Sequence, residues 1–150
     1  MINSRKLEKT KDAISKTIKD NPELLEVDCH EVAITGKIMC GLTRLFRSWD
    51  VDMEYNRLEN SIKRRNSGSL VRPDIIVHKR KKSGRANNLL IIEVKKSANA
   101  NEKYADIEIL KEMTSPDGEY AYQFGVFVNI IHSTLIQFNF VNDGHVIDAA

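Results

Sequence analysis

The fold of this chain is decided by RPDIIVH at residues 72–78 and LLIIEVKK at residues 89–96, two apolar runs that each contain an acid. Both runs are rich in branched aliphatic residues, and a basic segment with a glycine joins them, which predicts two neighbouring strands connected by a turn. Glu93 and Lys95 are two residues apart, so their side chains point to the same face of a strand. Opposite charges on one face of an apolar strand indicate either a plain salt bridge or a functional site.

The remaining pattern predicts helices at residues 4–20, from Pro22 or Asp28 to about Arg47, and at 100–114. It predicts strands at residues 51–57, 71–79, 88–95, 121–131 and 135–141, and a polar, mobile loop at 59–70. The run at 121–131 is apolar on both faces, which is typical of a central strand. This order predicts an α/β fold with a central mixed sheet of about five strands, flanked by helices.

The chain has 150 residues, which suits one domain, with a surface helix within residues 1–20 and a core at about 28–148. The two cysteines, Cys29 and Cys40, form no CxxC pair and the histidines are scattered, so we expect no structural zinc site. If one helix holds both cysteines, they are too far apart for a disulfide. The sequence shows no signal peptide and no apolar run long enough to span a membrane. We therefore expect a cytoplasmic protein without a membrane partner.

Basic residues are clustered although the net charge is only +2. One group lies at residues 63–72 and the other at residues 79–85. Such clusters create local fields that attract phosphate chains, but solvated basic loops are the commoner explanation of this pattern. The candidate contacts to nucleic acid are Lys63, Arg64, Arg65, Arg72, Lys79, Lys81 and Lys82.

Glu31 falls within the apolar stripe of the second helix, so its carboxylate should face the sheet. A capping box with Asp28 as N-cap explains the same residue, and the two roles are compatible. Asp74 follows Pro73 at a predicted strand start, where a turn aspartate is an alternative to a site residue. Asp106 lies within the inward arc of its helix, where it supports a site lysine or complements the helix dipole.

Together, Pro73-Asp74 and Glu93-Val94-Lys95 resemble the motif of the PD-(D/E)xK nuclease superfamily, the fold of type II restriction endonucleases. Glu31 matches the helix glutamate that many members add, and the likeness extends over about residues 28–140. The blocks at residues 54–57, 72–78 and 92–95 look like those of small, stand-alone bacterial members. The resemblance implies a restriction endonuclease-like core and a metal-dependent nuclease that hydrolyses phosphodiester bonds, with DNA as the expected substrate.

The resemblance also implies the roles of the site residues. Asp74, Glu93 and Lys95 would be catalytic, and one or two Mg²⁺ or Mn²⁺ ions would be held by Glu31, Asp74, Glu93 and the backbone carbonyl of Val94. Lys95 would orient a water or stabilise charge on the phosphate, and we favour the electrostatic role because neighbouring carboxylates oppose a depressed lysine pKa. A non-catalytic nucleic-acid-binding module and a protein-interaction domain are the alternatives. A homodimer or a partner subunit would also be compatible with the sequence.

Overall fold

The structure, a computed structural model, describes residues 4–58 and 61–147. Its helices are α1 (Ser4–Asp20), α2 (Glu23–Glu26), α3 (Glu31–Leu45) and α4 (Ala100–Thr114). Its strands are β1 (Asp50–Met53), β2 (Arg57–Leu58), β3 (Ser61–Ile62), β4 (Ile75–His78), β5 (Asn88–Lys96), β6 (Phe124–His132), β7 (Leu135–Asn142) and β8 (His145–Ile147). A short 3₁₀ turn at Arg85–Asn87 leads into β5.

Six strands form one mixed sheet in the order β1-β4-β5-β6-β7-β8, and β2 pairs with β3 in a separate hairpin. Only β5 and β6 are parallel, and α4 is the crossover that joins them. This confirms the predicted α/β fold with a mixed sheet and flanking helices. The sheet has one strand more than expected, because the three-residue, largely exposed β8 carries too short a pattern to be recognised.

Helices cover both faces of the sheet. One apolar cluster joins α1 and α3 to Ile92 and Val94 of β5, and the other joins α4 to Ile91 of the same strand. Because both faces of β5 are covered, its sequence is apolar without alternation. The predicted surface helix α1 buries Leu7, Ile14 and Ile18, so it is part of the main core. No helix in the described part of the chain is long and apolar enough to cross a membrane.

Several predicted boundaries are wrong where the backbone adopts a left-handed conformation. The helix predicted to start at Pro22 or Asp28 is divided into the short α2 and the longer α3. Helix α3 begins at Glu31 with His30 as its N-cap, and the His30 side chain makes no capping hydrogen bond. Asp28 has a φ of 50° and lies before the helix, so the capping box between Asp28 and Glu31 does not form. Glu54 (φ 49°) ends β1 early, and β6 begins only after Ala121 (φ 46°).

The predicted loop at 59–70 is largely structured. Glu59 and Asn60 lie outside the described residues, but β3 follows them and a β-bridge then joins Arg64 to Leu70. The hydroxyl of Tyr120 accepts a hydrogen bond from the backbone N–H of Arg64 and donates one to its carbonyl. This segment is therefore fastened to the chain that follows α4.

Lys63 is the buried residue of this segment, with only 1% of its surface exposed. Its Nζ donates to the hydroxyl of Tyr122 at 2.8 Å and to the carbonyl of Tyr55 at 3.2 Å, and it lies over both tyrosine rings. Burial lowers the pKa of Lys63 to about 7, although the nearby Asp52 carboxylate acts in the opposite direction. The prediction that Lys63 contacts nucleic acid is wrong, because a phosphate cannot reach a buried amine.

The burial of Lys63 predicts an unusual pH dependence of stability. The pKa of about 7 in the folded state lies below the ordinary lysine value of 10.5, so the unfolded chain binds one more proton between these pH values. Stability therefore rises with pH across this window, and the unfavourable contribution of Lys63 is largest below pH 7. In urea unfolding at pH 7, 8 and 9, the stability of Lys63→Met relative to wild type should fall by up to about 1.4 kcal/mol per pH unit.

The matched control is Lys82→Met, which removes an exposed lysine. Its stability relative to wild type should not change over the same range. A pH-independent difference between Lys63→Met and wild type would contradict the assigned pKa.

Candidate functional site

The candidate site lies where β4 begins and β5 ends. The antiparallel register pairs Ile75 with Ile92, and its continuation by one residue places Asp74 opposite Glu93. Glu93 and Lys95 point to the same face as Ile91, which is the face covered by α4. Two residues of the motif on β5 and one at the start of β4 therefore meet at one end of the sheet.

Asp74 is held in place by the neighbouring strand. Its Oδ2 accepts a hydrogen bond from the backbone N–H of Val94 at 2.7 Å, and its carbonyl accepts one from the N–H of Glu54 at 3.1 Å. Pro73 precedes it and is buried, and it brings no N–H that would need a partner. The alternative of a turn aspartate is wrong, because the carboxylate bonds to a residue 20 positions later in the chain.

Glu93 is the buried acid of the site, with 8% of its surface exposed. Burial raises the pKa of Glu93 well above its ordinary value. The charges of Asp74 and Asp106 and a hydrogen bond with the Asp74 side chain raise this pKa further, and only Lys95 opposes them. Glu93 therefore holds its proton more tightly than an ordinary glutamate, because a charge on it would be buried beside two other acids.

Lys95 is partly buried, with a side chain 33% exposed, and its Nζ lies 3.8 Å from Oδ2 of Asp106. A salt bridge between Lys95 and Glu93, the alternative considered from the sequence, does not form among the described residues. Burial lowers the pKa of Lys95, but four carboxylates outweigh it and leave the pKa raised: Asp106, Glu31, Asp74 and Glu93. Lys95 therefore remains an ammonium, which excludes it as a general base at neutral pH.

Glu31 reaches the site from the first turn of α3. Its Oε2 accepts a hydrogen bond from the backbone N–H of Lys96 at 3.0 Å. The Lys96 side chain binds the turn that precedes α3. Its Nζ donates to Oδ1 of Asp28 at 2.7 Å and to the carbonyl of Cys29 at 2.6 Å. The start of α3 is thus fastened to the end of β5 at three points.

Lys96 is the residue of this region that sequence reasoning missed. Its side chain points to the opposite face of β5 from that of Lys95, is only 24% exposed and holds the turn before α3. The signal in the sequence was the repeated lysine at the end of an apolar strand, since two consecutive lysines must face opposite sides of the sheet.

An open cleft of about 240 Å³ leads to the site. Its lining consists of residues from the start of α3, the end of β1 and the start of β4: His30, Glu31, Val32, Thr35, Met53, Glu54 and Asp74. Arg72 is exposed beside this cleft, with its Nε 3.9 Å from Oε1 of Glu54. The cleft therefore gives solvent and ligands a path to two of the acids, and a cationic side chain stands next to its mouth.

The carboxylates of the candidate site are chemically suited to bind a hard divalent cation, although their side chains do not converge on one point as the ligands of a bound metal ion do. Within residues 4–58 and 61–147, no three His, Cys, Asp or Glu side chains are placed so that they could hold a metal ion together. Carboxylate oxygens are the ligands that Mg²⁺ and Mn²⁺ prefer.

The predicted basic residues are divided between distant parts of the molecule. Lys79, Lys81 and Lys82 follow the end of β4, whereas Asp74 precedes its beginning, so this group lies at the opposite end of the sheet from the acids. Lys79 stacks over the ring of Trp49, with its Nζ 4.9 Å from the ring centroid. This group is not brought to the candidate site.

The other basic group is mostly engaged in structural contacts. Arg65 pairs with Glu112 of α4, with 2.9 Å between Nε and Oε2, and the side chain of Arg64 donates to the carbonyl of Gly68. Of the seven basic residues predicted to contact nucleic acid, Arg72 is the one that stands beside the cleft.

Comparison with known proteins assigns no relationship, because no family model, curated protein or solved structure matches this chain.

The burial of Glu93 predicts that its charge opposes folding. Its pKa is higher in the folded than in the unfolded chain, so the folded state binds the proton more tightly and stability falls as pH rises above about 4.5. Glu93→Gln keeps the shape and a hydrogen-bond donor but carries no charge. At pH 7.5 we expect the variant to be more stable than wild type by about 1 kcal/mol or more, roughly 2–4 °C in Tm.

Thermal unfolding at pH 4.5, 6 and 7.5 measures this difference, which should be smallest at pH 4.5. Glu119→Gln, which removes an exposed acid, is the control and should match wild type throughout. A Glu93→Gln variant that is less stable at pH 7.5 would show that the glutamate charge is well compensated in the protein.

Proposed function

We propose that this protein is a metal-dependent nuclease of the PD-(D/E)xK type, with a restriction endonuclease-like core and DNA as its substrate. The observation that carries the proposal is that the buried Glu93 and the half-buried Asp74 lie beside the Lys95 ammonium at the end of two adjacent strands. Metal-assisted phosphodiester hydrolysis uses carboxylates to hold the metal ion, and carboxylates at strand ends with a neighbouring cation are suited to this chemistry. A purely structural role would leave an unfavourable buried acid without a benefit.

Asp74, Glu93 and Glu31 are the side chains that would hold Mg²⁺ or Mn²⁺, and the carbonyl of Val94 is a further candidate. When bound, the ion supplies a Lewis acid that polarises the scissile phosphate and lowers the pKa of a water. The hydrogen bond from the N–H of Val94 orients the Asp74 carboxylate before any ligand arrives. Glu31 is oriented in the same way by the N–H of Lys96.

Lys95 contributes charge in this proposal. Its raised pKa keeps it cationic, and its partial exposure leaves it accessible to a phosphate at the site. A fixed positive charge in a partly water-excluded position stabilises the negative charge that develops on phosphorus. Arg72, exposed beside the cleft, is suited to bind a phosphate of an adjacent nucleotide.

The direct test is cleavage of plasmid, linear duplex, single-stranded and branched DNA with Mg²⁺, Mn²⁺ or EDTA. We expect metal-dependent cleavage by wild type, with a loss of about 10³-fold or more in Glu93→Gln and about 10²–10³-fold in Lys95→Met. Glu108→Gln, which changes an acid on α4 paired with Lys111, should cleave like wild type.

Wild-type protein that leaves every substrate intact with both metals would overturn the proposed activity. Salt-dependent DNA binding without cleavage, unchanged in Asp74→Ala, would instead identify a non-catalytic nucleic-acid-binding module.

The separation of the two basic groups gives a second prediction. Arg72→Gln removes a cation beside the cleft, so the slope of log affinity for DNA against log salt concentration should become shallower by about 1. Lys82→Gln removes a cation at the opposite end of the sheet and should leave the slope unchanged. Fluorescence anisotropy across a salt series, with Ca²⁺ in place of Mg²⁺, measures both. A stronger effect of Lys82→Gln would show that DNA lies on the other end of the sheet.

A further inference from the structure

Asp106 is an acid near the site that has no part in the mechanism described above. Helix α4 begins with a capping box, in which Oδ1 of Asn99 accepts from the N–H of Glu102 at 2.9 Å and Oε2 of Glu102 accepts from the N–H of Asn99 at 3.0 Å. The capping box fixes how α4 is oriented about its own axis. In this orientation Asp106, which precedes the buried Ile107, faces the sheet. The Asp106 side chain is only 13% exposed.

Oδ2 of Asp106 is buried and has no hydrogen-bond partner, a condition that no other side-chain nitrogen or oxygen shares in the described ranges 4–58 and 61–147. Its neighbour is Nζ of Lys95 at 3.8 Å, within ion-pair distance but beyond hydrogen-bond distance. A buried carboxylate oxygen without a donor destabilises the folded protein. Stability alone therefore gives no reason for a carboxylate at this position.

The charges around Lys95 indicate what the Asp106 carboxylate does. Glu31, Asp74 and Glu93 also attract the ammonium, yet in the described chain only Asp106 approaches it within 4.0 Å. An ammonium that moved onto Asp74 and Glu93 would neutralise the acids that the proposed mechanism needs. Asp106 stands on α4, whereas Asp74 and Glu93 stand on the sheet, so its attraction draws Lys95 away from that pair.

We propose that Asp106 is a positioning residue, which holds the Lys95 ammonium beside the Asp74–Glu93 pair and keeps it from closing onto these acids. This inference rests on the proposed nuclease function for its purpose, although the ion pair itself can be measured without any activity. The competing explanation is a plain ion pair between α4 and β5, which would contribute little to stability and nothing to turnover.

The first measurement reads the position of the lysine directly. In protein labelled with ¹⁵N and ¹³C, correlation spectra of lysine ammonium groups report whether each Nζ is held in an ion pair. We expect Asp106→Asn to shift or broaden the Lys95 signal, and Asp106→Glu to retain it. Glu108→Gln is the matched control on the same helix, because it breaks the ion pair of Lys111 (2.7 Å) and should alter only the Lys111 signal.

The second measurement separates positioning from folding. In cleavage kinetics, Asp106→Asn should lower kcat about tenfold to hundredfold, since a misplaced group costs that much, and should leave KM for DNA within about twofold. Asp106→Glu should recover part of kcat, and Glu108→Gln should equal wild type. A merely structural ion pair would change Tm in Asp106→Asn without changing kcat.

The outcomes distinguish the two proposals. A Lys95 signal unchanged in Asp106→Asn, or a kcat unchanged in an active enzyme, overturns the positioning role and leaves the nuclease proposal intact. Wild-type protein that cleaves no substrate overturns the nuclease proposal, and with it the purpose assigned to Asp106, even where the Lys95 signal responds as expected.

Discussion

The hydrogen bond between the carboxylate of Asp74 and the backbone N–H of Val94 is the contact on which the site depends. It joins the start of β4 to the end of β5 and fixes the register in which Asp74 stands opposite Glu93. Side chains alternate along a strand, so a slip of one residue would turn Glu93 and Lys95 toward α3 and separate them from Asp74 and Asp106. The site therefore exists only in this one register.

Charge at this end of the sheet works against stability. Four acids surround Lys95, and burial raises the pKa of the most buried of them, Glu93, well above its ordinary value. Fully apolar residues would pack at the same positions without desolvating a charge. The protein nevertheless keeps acids at the ends of adjacent strands, beside an open cleft. A group of buried, mutually repelling charges at one accessible place is typical of a functional site. Charges with a structural role usually have a partner of opposite charge nearby.

Local patterns allowed much of the fold to be predicted from the sequence. The helix at 100–114 has the predicted bounds, because a capping box and a turn signal mark its ends, and β5 differs from the prediction by a single residue. The contact between Asp74 and Glu93 followed from two strand ends with one hairpin between them. Non-local contacts were beyond this reasoning. The burial of Lys63 depends on two tyrosines brought together by the sheet, and the course of residues 22–30 depends on Lys96, which is 68 positions from Asp28.

The basic residues show a different kind of error. The sequence shows two basic groups and predicts that both contact nucleic acid, but β4 runs between them and carries them to opposite ends of the sheet. Within the first group, Lys63 and Arg65 serve as anchors to Tyr122 and Glu112. A cluster of like charges in a sequence therefore predicts a surface only after the direction of each strand is known.

The long-range fastening of α3 to β5 has a consequence for synthesis of the protein. The turn at Asp28 and Cys29 leaves the ribosome well before Lys96, its partner 68 and 67 residues later, and β5 is itself completed only by pairing with β6. At about 5–20 residues per second, the ribosome needs several seconds to add the residues between this turn and Lys96. The contacts that hold the start of α3 against the end of β5 therefore form only after β5 and its partner strand β6 have been synthesised.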